Sequence, residues 1–235
     1  MTRDSRLDPR EVILMQRRRL LPLALFGALR GVAGQVSLNG EPGLPASPRG
    51  AKRRGVALVP EDRKADGLLL ELSVRDNLTL AALDELAPFH LISAAAEARA
   101  TSDLVARLSI RSADAEAAVS TLSGGNQQKV VIGKWLLTQP RILLLNDPTR
   151  GIDVGTKQEI HRLLEQLAEA GVAIVLHSTD YGELIRCCDR VAVLYDGRVV
   201  RVLEHGELSE HALLSAALNV PDRREDIAPA RADSP

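Results

Sequence analysis

Cys187 and Cys188 are the only cysteines in the sequence, and they are adjacent. That excludes a disulfide framework and fits a reducing compartment. The pair reads as two small buried apolar side chains. Aromatic residues are also scarce. Trp135, Tyr181, Tyr195, Phe26 and Phe89 are too dispersed to build a base-stacking platform, so the core must be aliphatic. No sign of charge dominates, because 30 Lys+Arg face 31 Asp+Glu for a net charge of −1. Such a balance offers no global attraction to DNA or RNA, and nucleic acid is not an expected partner. The five histidines show no metal-ligand spacing. No apolar run reaches the roughly eighteen residues that a membrane span needs. The stretch LLPLALFGAL (20–29) follows Arg17-Arg18-Arg19 in the manner of a secretory signal, but Pro22 interrupts it. It reads as a buried helix with a basic flank.

What is present suffices for a core. The chain is 45% hydrophobic and 26% charged, and its 235 residues suit one ordinary domain or two small ones. Past residue 30, strands and helices alternate. Gln35–Asn39 predicts a short strand turned by Asn39-Gly40. The Gly-, Pro- and Arg-rich stretch 40–55 predicts a surface loop with a solvated charge run. Val56–Val59 predicts a buried strand ending at Pro60.

From Glu61 to Gln139 the pattern becomes helical. Ser73 with Asp76 predicts a capped helix to about Leu83, Ala94–Leu108 a second and Gly125–Thr138 a third. Ile142–Leu145 then predicts a central parallel strand. Thr156–Ala170 predicts an amphipathic helix stopped by Gly171, and Val172–Leu176 the next strand. Val191–Tyr195 and Val199–Leu203 flank the hairpin signal Asp196-Gly197. The charged, Pro- and Ala-rich end (220–235) predicts a disordered tail. The whole reads as an α/β sheet carrying a helical insert.

The richest string is Leu122-Ser123-Gly124-Gly125-Asn126-Gln127-Gln128-Lys129-Val130. Ser-Gly-Gly at a helix mouth presents free backbone N–H groups, a hydroxyl and the positive end of the helix dipole, which suits a terminal phosphate. Alone, that is also how many helices are capped. The full nine-residue string is far more specific. It resembles the signature of ABC-transporter ATPase domains, in the form found in sugar importers of the ribose/xylose/galactose type. VALVPEDRKADGL (56–68) resembles that family's Q-loop region with Glu61 in the Gln place. ILLLNDPTRGIDVGTKQEI (142–160) resembles Walker B, the D-loop and the following helix, and Val191–Val200 the closing strand pair. The likeness covers roughly residues 23–219 and is to the second, C-terminal of two tandem domains.

The departures from that family matter most. A phosphate cradle needs G-x-x-x-x-G-K-[ST], and its slot near residues 10–19 reads REVILMQRRR, without a glycine. The single Gly-Lys pair, Gly133-Lys134, lies inside the signature helix. Arg17–Arg19 could meet phosphate but would not replace a backbone nest. No aromatic precedes Phe26 to stack on adenine. Asn146 stands where the Walker B aspartate would help hold Mg²⁺, and Asp147 stands where a glutamate would polarise water. Both could equally just end a strand. The switch histidine would fall at Thr179, with His177 about 6–7 Å away along a strand. Asp153 matches the D-loop aspartate, with a role across a domain interface.

The resemblance therefore implies an α/β, P-loop NTPase-like ABC ATPase core over residues 20–219, with an inserted helical subdomain at about 61–138. It implies an irregular, truncated or frame-disturbed start over residues 1–19. Head-to-tail pairing would let Ser123–Gln127 close over ATP on another ABC nucleotide-binding domain, with Glu61 and Asp153 alongside. ATP and Mg²⁺ would be held mainly by that partner, and the chain's own hydrolytic site (Asp147, Thr179, with Asn146 in the metal place) would be impaired. The expected setting is a carbohydrate importer with sugar permease subunits, in the cytoplasm on the inner face of the plasma membrane. The isolated chain is expected to be inactive or very weak. The alternatives are a non-catalytic docking or regulatory module of a permease, and a weak ATPase in its own right.

Overall fold

The computed structural model describes residues 11–15, 20–29, 31, 32, 35–38, 40–86 and 93–220. In chain order these form β1 (Glu11–Met15), α1 (Leu20–Leu25), β2 (Ser37–Leu38), β3 (Glu41–Pro42), α2 (Pro48–Arg53) and β4 (Val56–Val59). The helical part follows: α3 (Val74–Thr79), α4 (Leu83–Leu86), α5 (Ala94–Arg107) and α6 (Gly124–Leu136). Then come β5 (Ile142–Asn146), α7 (Val154–Glu169), β6 (Ala173–His177) and α8 (Tyr181–Cys187). The chain ends with β7 (Arg190–Tyr195), β8 (Arg198–Glu204) and α9 (Glu210–Ala217).

β4, β5 and β6 make a parallel sheet with β5 central, Leu143 opposite Ala57 on one side and Ile174 on the other. β1 runs parallel to β7, β7 antiparallel to β8, and β1 also lies alongside β6. The continuous aliphatic run of β5 is explained by burial on both faces. Leu143 and Leu145 point into a large core with Val130–Ile132 of α6, Leu78 of α3 and Ile160 and Leu164 of α7. Ile142 and Leu144 point the other way, against Phe26 and Ala51. Two of the few aromatics meet on that second side, Phe26 standing edge-on to Trp135 with centroids 5.3 Å apart.

Two expectations are corrected. The stretch 40–55 is not simply a loop: it holds β3 and α2, because Ser47 caps the helix through the Gly50 N–H, Pro48 opens it and Ala51 is buried beneath it. Its charges do structural work. Lys52 pairs with Asp84 and Glu85 at 3.3 and 3.2 Å, and Arg54 reaches Glu41 and the Gly43 carbonyl. The second correction concerns the start, where Glu11–Met15 is a strand within the span expected to be irregular. Residues 16–19, Asn39, Phe89, His90 and the tail 221–235 lie outside the described residues.

Elsewhere the local chemistry acts as read. Ser73 and Asp76 form a reciprocal capping box, and Asp196 and Gly197 both take positive φ in the β7–β8 hairpin. The helix from Ser73 is shorter than predicted, turning 3₁₀ at Leu80–Ala82. Burial pushes the Cys187 thiol up to about 12 and the Cys188 thiol up as well, so both are inert packing groups.

Candidate functional site

The expected site residues fall into two places. Around the start of α6 lie Ser123, Gly124, Gly125, Asn126 and Gln127, with Glu61 and Asp153 arriving from neighbouring turns. Ser123 is the N-cap: its Oγ accepts from the Asn126 N–H at 3.4 Å and from Asn126 Nδ2 at 3.0 Å. Helix geometry leaves the Gly124 and Gly125 N–H groups without intrahelical partners. Gly125 is glycine because of packing, since a Cβ there would stand 2.6 Å from Thr156 Oγ1. A Cβ on Gly124 would stand 2.7 Å from the far end of Arg63 and 3.6 Å from the Gly151 carbonyl oxygen. Gln127 is buried, donates to the Val119 carbonyl at 3.3 Å, and its Oε1 has no hydrogen-bond partner among the described residues.

Arg63 ties this corner together, donating to the Arg150 carbonyl at 3.2 Å, while the Arg150 guanidinium pairs with Glu61. Glu61 is thus engaged by the segment before Asp153. Asp153 itself caps α7, accepting from the Thr156 N–H at 2.9 Å and the Thr156 hydroxyl at 2.8 Å. Those hydrogen bonds, the backbone one foremost, hold its carboxyl below the usual range. Arg63 and Arg150 lie inside the stretches that resemble the Q-loop and D-loop, but no local pattern in the sequence marks either as a partner of the other segment.

The second place is the end of β5 and β6. Asn146 is buried opposite His177, and its Oδ1 has no hydrogen-bond partner among the described residues. Asp147 is buried and takes φ +45°, in the left-handed region. Its N–H donates to the His177 carbonyl at 2.8 Å, and its Oδ1 accepts from the Thr179 N–H at 2.7 Å and hydroxyl at 2.9 Å. His177 Nδ1 lies 3.7 Å from the other carboxylate oxygen. The positions read as base and switch are therefore joined directly. These residues do not fit a divalent cation well, because Asn146 brings no charge and Asp147 already fastens β5 to the turn after β6.

Below that turn is a buried network that periodicity could not reveal. Glu183 accepts from the Ser178 hydroxyl at 2.5 Å and lies 3.1 Å from His161 Nε2 on α7. One turn before, Lys157 of α7 binds Asp180 at 2.5 Å.

A further buried cation sits on α6. Lys134 donates to the Gly67 carbonyl at 2.5 Å, and burial pushes its ammonium down to about 8. Between that value and the ordinary 10.5, the unfolded chain holds a proton that the folded chain has released, so stability rises as pH rises. The gain should be at most about 3 kcal/mol across that window. Chemical denaturation of the protein and of Lys134→Met at pH 7.5 and 10 checks this: the parent's stability relative to the variant should rise by about 2 kcal/mol between the two, the cysteine titrations cancelling in the difference.

A mostly parallel sheet with helices on both faces, a helical insert and a Ser-Gly-Gly helix mouth define an ATP-binding-cassette ATPase fold. Solved structures agree. A dimeric post-hydrolysis state of the ATP-binding cassette MJ0796 bound to ADP and Pi superposes with a TM-score of 0.72, at 20% identity over 84% of this chain and 86% of that one. A nucleotide-free ATP-binding cassette from an ABC transporter gives 0.70, at 16% identity over 91% and 85%. Residues 20–150 match the ABC transporter family, and the chain belongs to it. Among curated relatives, the ribose import ATP-binding protein RbsA 1 of Rhizobium johnstonii is 58% identical over 207 residues, 87% of this chain and 40% of that protein. The ribose import ATP-binding protein RbsA of Chromobacterium violaceum is 48% identical over 193 residues, 82% and 38% respectively. The chain thus spans about 40% of the length of the relatives it matches.

Proposed function

We propose that this chain serves as an ATP-binding part of a sugar importer, of the kind the ribose import relatives are named for, by completing an ATP site on a second ABC nucleotide-binding domain. The observation that carries the reading is the start of α6. Ser123, Gly124 and Gly125 put a hydroxyl and two free N–H groups at one helix mouth, where they would hold a terminal phosphate. ATP, when bound, supplies the activated phosphoryl group. The chain's own residues bind and orient it: Ser123 is fixed by Asn126, and Arg63 lies beside Gly124 as a nearby cation. Asp153 and the Arg150–Glu61 pair would form the rim against the partner.

The chain's own hydrolytic site is impaired in this reading. Asn146 and Asp147 would leave metal and base to the partner, together with its P-loop. Permease subunits and a place on the inner face of the plasma membrane belong to the same proposal. Among the described residues no helix is long and apolar enough to cross a membrane.

The test has two arms. Equilibrium binding of ATP to the isolated chain should be weak and indifferent to Mg²⁺. Mixed with an ABC nucleotide-binding domain carrying an intact G-x-x-x-x-G-K-[ST] loop, the chain should raise ATP turnover. Tight Mg²⁺-dependent binding by the chain alone would overturn the impaired-site reading in favour of an ATPase in its own right. No stimulation of an intact domain would instead favour a docking module.

A further inference from the structure

A second concave site lies away from the α6 mouth. It is a cleft of about 290 Å³ between the end of α5, the middle of α6 and one face of α7. Its apolar floor is Leu108, Ile160 and Leu163, all buried. Its walls carry Arg107, Lys129 and Arg162 against a single carboxylate, Glu159. Arg111 lies close enough to act on Glu159 as well. Four cations thus surround one anion in a chain whose overall charge is −1.

The cations differ in how far they are committed. Lys129 is buried, ion-paired to Glu159 at 2.5 Å and donating to the Ser109 carbonyl at 3.0 Å. Arg162 spends only its Nε, on the Gln158 carbonyl of its own helix at 3.3 Å, which leaves its terminal nitrogens for another acceptor. The Arg107 and Arg111 side chains make no ion pair among the described residues and are exposed. The Lys129 hydrogen bond, and then the charges of Lys129, Arg111 and Arg162, hold the Glu159 carboxyl below its usual range. It is therefore ionised at neutral pH and fully counted: the site still keeps three positive charges unbalanced.

We propose that this cleft binds a compact multivalent anion of the phosphate class, a phosphate ester or pyrophosphate. Guanidinium groups on two facing elements, α5 and α7, suit planar two-point contacts to such oxygens. The apolar floor would accept a small organic body beside the anionic group. Because Lys129 belongs to α6, an anion here competes with Glu159 for a side chain two to six residues from Ser123–Gln127. It also bridges the helical insert to α7, whose N-cap is Asp153. The residues lining the cleft are not those of the α6 mouth, although the Arg111 N–H donates to Asn126 Oδ1 at 2.9 Å, and the proposal does not depend on the nucleotide reading.

The test is calorimetric titration of the full chain with inorganic pyrophosphate, at low salt and at about 0.3 M salt, where screening shortens the reach of the cations. Saturable binding that weakens with salt, and that falls at least about tenfold in Arg107→Glu/Arg162→Glu, supports the proposal. Circular dichroism and melting of that variant check that it folds; if it does not, Arg107→Gln/Arg162→Gln takes its place. Binding that survives the double variant but disappears in Ser123→Ala/Gly124→Asp would place the anion at α6 and overturn the proposal, as would no saturable binding. Co-sedimentation with phosphatidylserine vesicles distinguishes the source. A free anion is expected, so vesicle binding should be absent; vesicle capture abolished by the double variant would assign a lipid headgroup instead and overturn the soluble ligand.

Discussion

Asp147→Ala should lower the unfolding free energy by about 3 kcal/mol while leaving turnover in a mixed assembly within about twofold. Two charge-assisted hydrogen bonds to Thr179, at 2.7 and 2.9 Å, are lost together. Alanine also tolerates the +45° φ at this position less well than aspartate, which adds about 1 kcal/mol. Asp147→Asn retains an acceptor and the left-handed tolerance, so it should cost only about 1 kcal/mol. Urea denaturation orders the three proteins. The activity arm separates the readings: if Asp147 worked as a base in this chain, alanine would cut the isolated chain's own Mg²⁺-dependent turnover by about 10²-fold or more. A stability loss with turnover intact identifies a fastener between β5 and the turn after β6.

That outcome would also explain why some of the molecule was legible and some was not. The β5 run and the spacing of Ile160, Leu163, Leu164 and Leu167 announce themselves, because burial on both faces or one stripe imposes a period on sequence. The Ser73–Asp76 cap is legible for a similar reason: its partners are three residues apart. The helix within 40–55 was hidden because Gly, Pro and Arg dominate its composition, and only the buried Ala51 and the Ser47-Pro48 start give it away. Glu61 could be placed from its string, but its pairing with Arg150 spans 89 residues and no local pattern encodes it. His161 is the same case: Ser178 and Glu183 are only five residues apart, but the packing of α7 against α8 is what brings His161 to them.

The signature can be tested where structure and function predict opposite results. Gly124→Asp adds a carboxylate to the first turn of α6, where the helix dipole favours a negative charge. Its nearest neighbour would be the Arg63 guanidinium, the end of a long side chain that a carboxylate attracts, with the Gly151 carbonyl oxygen in ordinary van der Waals contact at 3.6 Å. Stability should therefore stay within about 0.5 kcal/mol of the parent, or rise. If that turn faces a terminal phosphate, the same carboxylate repels it and occupies the free N–H groups, and turnover in the mixed assembly should drop about 10²-fold. Gly125→Ala supplies the contrast. Its Cβ would press on Thr156 at 2.6 Å, and Thr156 holds Asp153, so this change should cost about 1–3 kcal/mol through overpacking. A stable Gly124→Asp protein that still stimulates its partner fully would show that the helix mouth is only a cap. A stable protein that has lost stimulation would leave phosphate recognition as the reason glycine stands at 124, where the one atom closer than 3 Å is the end of the long Arg63 side chain.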